Sequence, residues 1–165
     1  MANPKRQPTE LELAYIAGII DGEGCISVFE SQWEAKRNTY ERERDTRYRY
    51  KVIVKMVDPD AINLLMDVFG GSICMQQPKA RARFPQFAWT VSEKRAAACL
   101  KLCLPYLRIK KHRAELLLQL SDLISKCSRR GRGYHVPEQE KESRRELIQV
   151  IKNENQRTHL QRVIA

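Results

Sequence analysis

No run of the 165 residues stays apolar for the roughly 20 positions a membrane span requires. The longest candidate, Ala96 to Leu104, is broken by Lys101. The amino terminus, MANPKRQPTE, reaches charge without an apolar stretch or a small-residue cleavage pattern, so nothing there reads as a secretory signal. Glycine and proline, seven each, are too few for a fibrous or low-complexity chain. Acid is in deficit: 20 Asp and Glu face 30 Lys and Arg, leaving a net charge of +10. The 42% of hydrophobic residues supply a core, which excludes intrinsic disorder, and the length suits one domain over residues 1–165. A soluble intracellular protein with no membrane partner is expected, its bacterial, archaeal or organellar origin left open.

The five cysteines, Cys25, Cys74, Cys99, Cys103 and Cys127, are odd in number, lack a CxxC pair and fall mostly in apolar runs. They are expected to be buried free thiols in a reducing compartment. Cys99 and Cys103 have helical spacing, but Leu100, Leu102 and Leu104 around them offer no third ligand for zinc. His112, His135 and His159 are isolated from each other and from any Ser or Cys arrangement resembling a triad, so nucleophilic hydrolysis has no support and no small-molecule substrate is expected.

Thr9 and Glu12 have capping-box spacing, and Leu13, Ile16, Ala17 and Ile20 recur at helical intervals, predicting a helix over 10–21. CISVFES predicts a strand over 25–31, followed by a polar loop from Gln32 to about Thr46. From Arg47 the segment RYRYKVIVKMV alternates, with Tyr48, Tyr50, Val52, Val54 and Met56 on one face and Arg47, Arg49, Lys51, Ile53 and Lys55 on the other. Asp58-Pro59 starts a helix over 59–69 that Gly70-Gly71 ends. SICMQQ and FAWTV form a strand pair around the basic loop from Pro78 to Pro85, and Ser92 is expected to cap a helix that Pro105 closes. A helix over 109–126, a basic loop SRRGRGYHVPE and a last helix over 138–155 complete the chain. The fold class is α+β, in the order αββαββα with additional C-terminal helices over about 128–165.

A strand face that aims four cations one way points to a nucleic-acid backbone. Glu30, Glu34, Glu41, Glu43 and Asp45 in the neighbouring loop could instead neutralise it locally. The wider distribution favours the backbone: Lys94, Arg95, Lys101, Arg108, Lys110, Lys111 and Arg113 form a run without an intervening acid, Lys79, Arg81 and Arg83 a second, and Arg129, Arg130 and Arg132 a third.

Asp21 and Glu23 close the first helix, where its dipole already makes the potential negative. An isolated DGEG reads as a solvated turn with Gly22 and Gly24 as terminators. Here the preceding helix carries small residues at Ala14, Ala17 and Gly18, which suit close approach of two backbones. The acids then emerge at the end of a helix–helix contact, where a divalent cation would relieve their repulsion.

The segment YIAGIIDGEG, Tyr15 to Gly24, resembles the signature of the LAGLIDADG homing endonucleases. LPYLRIKK, Leu104 to Lys111, resembles a second segment of the single-motif members, and FGG after the second helix agrees with it. The likeness covers most of residues 9 to 127, and no second copy of the motif occurs. The resemblance implies a homodimer with Ala14, Ala17, Gly18 and Asp21 at the interface, each sheet forming a saddle over one half-site of double-stranded DNA with a palindromic or near-palindromic sequence. It places Glu23, at the eighth motif position, and the Gly22 carbonyl on a catalytic Mg²⁺, with Mn²⁺ an acceptable substitute and Ca²⁺ supporting binding without cleavage. Lys110 matches the basic residue expected beside the scissile phosphate; a plain phosphate contact is its simpler role. Where many relatives place Gln near the end of the second strand, this chain has Lys55-Met56-Val57, and Lys55 is the available substitute.

Base and backbone contacts are expected from Ser27, Phe29 and Ser31, from Arg47, Arg49, Lys51 and Lys55, from Cys74, Gln76, Gln86 and Ala88, from the Lys79, Arg81 and Arg83 loop, and from Lys111. Phe29 and Trp33 fit sheet packing equally well. The activity implied is a Mg²⁺-dependent, site-specific double-strand DNA endonuclease that spreads its own intron or intein. The alternative is a non-cleaving relative acting as intron maturase or DNA-binding regulator, which has no reason to keep the acid at Glu23. A basic ribosome-associated module explains charge and size but not the helix ending in DGEG.

Overall fold

Thr9 opens α1 (Glu10–Glu23) with the reciprocal pair its spacing predicts: its hydroxyl accepts the Glu12 N–H at 3.2 Å, and the Glu12 carboxylate accepts the Thr9 N–H at 2.8 Å. Arg6 clasps the same carboxylate at 2.6 and 2.9 Å. The Arg6 bond first, and the Thr9 N–H second, lower the Glu12 pKa to about 2. The helix runs on through Asp21, Gly22 and Glu23, past the stop expected at 21, and turns straight into β1 (Gly24–Ser31). A Cβ at Gly24 would lie 2.5 Å from the Ile20 carbonyl oxygen, so the turn requires glycine.

The computed structural model describes residues 4–31, 47–78, 84–128 and 137–164, without the side chains of 30, 31, 47, 127, 128 and those beyond 154. Trp33, most of the acids expected to neutralise the basic face, the Lys79, Arg81 and Arg83 loop and the Arg129, Arg130 and Arg132 run lie outside these residues, as do the side chains of Ser31 and Arg47.

β2 (Arg47–Met56) pairs antiparallel with β1, and α2 (Pro59–Phe69) follows, its N-cap Asp58 accepting the Asp60 N–H at 2.8 Å. Gly70 and Gly71 end α2 with φ of 68° and 103°. β3 (Ser72–Gln76) and β4 (Gln86–Ser92) complete an antiparallel sheet in the order β1-β2-β4-β3. A Cβ at Gly71 would sit 2.4 Å from the Thr90 carbonyl oxygen, while Trp89 Nε1 donates to the Gly70 carbonyl at 2.7 Å. The FGG corner is thus fixed by steric fit and a buried hydrogen bond.

α3 (Glu93–Cys103) starts where expected, but the Ser92 hydroxyl makes no capping hydrogen bond. The next residue, Glu93, has a φ of 53°, which departs from the backbone entry an N-cap side chain needs. α4 (Lys111–Ser128) follows a turn at 108–110, and α5 (Glu138–Ile164) continues past its expected end at 155 because no Gly or Pro interrupts it. Ile148 and Ile151 of α5 join the same core as Ile16, Ile20, Val52, Trp89, Leu100 and Leu117, so the C-terminal helix is integral to the domain. Arg113 donates to the Glu154 carbonyl at 2.7 Å and Tyr50 shares a 2.7 Å hydrogen bond with Ser121, tying α5 to α4 and α4 to the sheet.

All five helices lie on the side of the sheet that carries Ile26, Val28, Tyr50, Val52, Val54, Trp89 and Val91. The cysteines divide: Cys99 and Cys103 are buried, whereas Cys25 and Cys74 are exposed. The expectation of burial fails for Cys25 because strand alternation turns it away from the core side that Ile26 faces, and for Cys74 because every residue of the edge strand β3 is exposed. Burial, reinforced by Cys103, pushes the Cys99 thiol up and leaves it unreactive. No helix among the described residues is long and apolar enough to cross a membrane.

Replacing Gly71 with Ala forces a Cβ onto the Thr90 carbonyl in a backbone conformation that side chains rarely adopt. A loss of about 2 to 3 kcal/mol is expected, read as a lower urea midpoint with an unchanged slope.

Candidate nucleic-acid interface and catalytic end of the first helix

Register decides which side chains share the face left open by the helices. Residues directly opposite across paired strands point the same way. Arg49 pairs with Phe29, Lys51 with both Ser27 and Ser92, Ile53 with Cys25 and Thr90, Lys55 with Ala88, Cys74 with Ala88, and Gln76 with Gln86. The alternating pattern therefore collects Ser27, Phe29, Arg49, Lys51, Lys55, Cys74, Gln76 and Gln86 on one outer face.

That face carries cations and amides without an acid from the strands themselves, the arrangement that favours a phosphate backbone. Phe29 belongs to this face and carries the Lys51 ammonium 4.9 Å from its ring centroid, a cation–π contact. The Ser27 hydroxyl is covered yet has no hydrogen-bond partner among the described residues. Ala88 shares the face but is only 5% exposed, since Lys55 and Cys74 flank it in the ladder; its expected contact with DNA is corrected on that ground. Ile53 points outward as alternation predicts, and the register adds its partners Cys25 and Thr90, with Ser72 beyond them.

The C-terminal end of α1 is locked to the start of α4. Asp21, 7% exposed, accepts the backbone N–H groups of Arg108 at 2.7 Å, Ile109 at 3.1 Å and Lys110 at 2.9 Å. In return the Lys110 ammonium donates to the carbonyls of Ile20 at 2.8 Å and Asp21 at 2.6 Å, and reaches Gly22 at 3.5 Å. Lys110 is itself 5% exposed. Each side chain thus ties down the other segment: the carboxylate gathers the N–H groups of the three residues that lead into α4, and the ammonium takes carbonyls of the last turn of α1. The repulsion expected between Asp21 and Glu23 is relieved here by these groups, so no metal is needed for Asp21.

Two expectations change as a result. Asp21 faces into its own chain, and so does Ala17, with 0% exposure; neither is an interface position. The helix is rotated so that both share the core side with Ile16 and Ile20, leaving Ala14 and Gly18 exposed in line with Leu11, Tyr15 and Gly22. A Cβ on Gly18 or Gly22 would meet nothing within 4 Å, so neither glycine serves the packing of this chain. Glu23 and Lys111 are exposed. Among the described residues no three His, Cys, Asp or Glu gather in a metal-binding group.

No protein-family model matches the sequence, and no curated protein matches it. Solved structures do match. The archaeal intron-encoded homing endonuclease I-Vdi141I, complexed with DNA, superposes with a TM-score of 0.63 at 16% identity over 88% of this chain and 84% of that one. I-CvuI, a homing endonuclease in complex with DNA, gives 0.55 at 16% identity over 87% and 96%. The LAGLIDADG homing endonuclease I-GzeII, in complex with its DNA target, gives 0.60 at 16% identity over 82% of this chain but 43% of its own. The chain has the LAGLIDADG homing-endonuclease fold.

Changing Asp21 to Asn removes the charge and presents an NH₂ group to backbone donors. Stability is expected to fall by about 2 to 3 kcal/mol, measured by urea unfolding.

Proposed function

We propose that the protein is a metal-dependent, site-specific double-strand DNA endonuclease that acts as a homodimer on a long palindromic or near-palindromic target. The observation that carries this reading is the exposed Glu23 carboxylate at the edge of the basic outer face. It stands between the Lys110-capped end of α1 and the first residue of β1. The three structural neighbours named above are homing endonucleases in complex with DNA, which supports the substrate class. I-CvuI has been solved on DNA with Mg and with Ca, which supports a divalent cation.

The donors available suit such an ion. Glu23 offers a carboxylate and Gly22 a carbonyl, both hard oxygen ligands, whereas both Asp21 oxygens are already engaged. One chain supplies too few donors for Mg²⁺ alone; phosphate oxygens, water and a second copy of the motif complete the set. When bound, the cation neutralises charge on the scissile phosphate and lowers the pKa of water.

The chain's own residues do the rest. Glu23 holds the ion at the strand edge, and the Asp21–Lys110 lock fixes the helix end that carries Glu23. Lys55 follows Val54, the β2 partner of Gly24, and its role in this reading is to stabilise charge developing on phosphate. Arg49, Lys51 and Lys111 contact backbone or base edges, as do Gln76 and Gln86. The exposed line of Ala14, Gly18 and Gly22 supports helix-to-helix dimerisation, because two backbones approach most closely over small residues.

A randomised duplex library, incubated with the protein in Mg²⁺ and in Ca²⁺, tests the reading. Wild-type protein is expected to cut one long site in Mg²⁺ and only bind it in Ca²⁺. Glu23→Gln is expected to lose cleavage by on the order of a thousandfold or more while keeping affinity. Binding without cutting in every condition by the wild type would identify the maturase or regulator instead. Gly18→Leu is expected to convert dimer to monomer in sedimentation; a dimeric mass would remove the interface assignment.

A further inference from the structure

β4 leaves the sheet at a strained residue. Ser92 still pairs with Lys51, and Glu93 immediately after it is the only non-glycine with positive φ among the described residues. A left-handed conformation is unfavourable for a side chain with a Cβ and persists only where its surroundings impose it. The kink returns the Glu93 carboxylate to the outer face of the sheet, where Oε1 accepts the Arg49 Nε–H at 2.8 Å. Both side chains are about half exposed. An ion pair in that setting contributes too little to offset the strain, so stability does not explain it.

Guanidinium geometry does. Glu93 takes the Nε edge of Arg49, and the two terminal Nη groups make no hydrogen bond among the described residues. Those two groups match O6 and N7 of guanine in the major groove. A free arginine must freeze several rotatable bonds to present them, whereas a carboxylate on Nε removes part of that loss before binding. Lys51, on the same face, is held over the Phe29 ring and pairs with no carboxylate among the described residues, so the bracing belongs to Arg49.

We propose that Glu93 is a positioning residue that aims Arg49 at a guanine edge, which makes Arg49 a determinant of target specificity. The inference rests on the DNA reading above. It is tested by selecting bound duplexes in Ca²⁺ with wild type, Arg49→Ala, Glu93→Gln and the double variant. The wild type is expected to select a G·C pair at one position of each half-site, and Arg49→Ala to lose that preference. Glu93→Gln is expected to weaken it by on the order of tenfold at that position alone, with an unchanged melting temperature and higher non-specific affinity because an acid near phosphate is gone. In the double variant Glu93→Gln adds nothing further. Glu93→Asp, which keeps the charge but shortens its reach, is expected to lose the same position. Unaltered base preference in Glu93→Gln, or a loss spread evenly over the site, overturns the proposal with DNA binding intact. Selection of no sequence by the wild type overturns the DNA reading and the proposal together.

Discussion

Two helix ends meet head to tail at Asp21 and Lys110, and the geometry of the candidate centre follows from that contact. The C-terminus of α1 is electronegative and the entry to α4 electropositive, so the ends attract, but each also presents backbone groups that water cannot reach once they touch. One carboxylate and one ammonium, both nearly buried, satisfy them reciprocally. Losing either partner would strand a buried charge beside unpaired backbone. That makes the contact rigid, and Glu23, two residues from Asp21, inherits the rigidity while remaining exposed.

The sheet separates two tasks by parity. Along β2 the even positions Tyr50, Val52 and Val54 join the core, and the odd positions Arg49, Lys51 and Lys55 face outward. β1 and β4 obey the same rule in register, so the outer face is a grid whose columns are cross-strand pairs. Neither the core nor the hydrogen-bond ladder depends on which polar side chains fill that grid. The face departs from free choice at Ala88, enclosed by its neighbours, and at Arg49, braced from outside the sheet.

Much of this was legible in the sequence because the relevant signals are local. Alternation in RYRYKVIVKM, the Thr9–Glu12 spacing, Asp58-Pro59 and Gly70-Gly71 each act within a few residues, and the elements they predict form with small shifts at their ends. The sites that were misjudged depend on partners far along the chain. Asp21 looks like half of an acidic pair until Arg108, Ile109 and Lys110 fold against it. Ala17 and Gly18 are neighbours in a small-residue pattern, yet helix rotation, set by the core, buries one and exposes the other. Cys25 sits in an apolar stretch but on the wrong parity for burial, and Cys74 lies on an edge strand exposed along its whole length. Glu93 carries no sequence signal, since its left-handed backbone arises from how β4 passes into α3.

The parity of the sheet also bears on how such a protein changes over generations. Substitutions at outward positions alter charge, size and hydrogen-bonding capacity without opening a cavity or shifting a strand, so the outer face can drift while folding stays constant. The Asp21–Lys110 lock allows no such drift, because each of its members is paired with backbone rather than with a replaceable side chain. A lineage diverging from this chain would therefore keep the scaffold and the helix junction longest. It would first rewrite the odd positions of β2 and their partners.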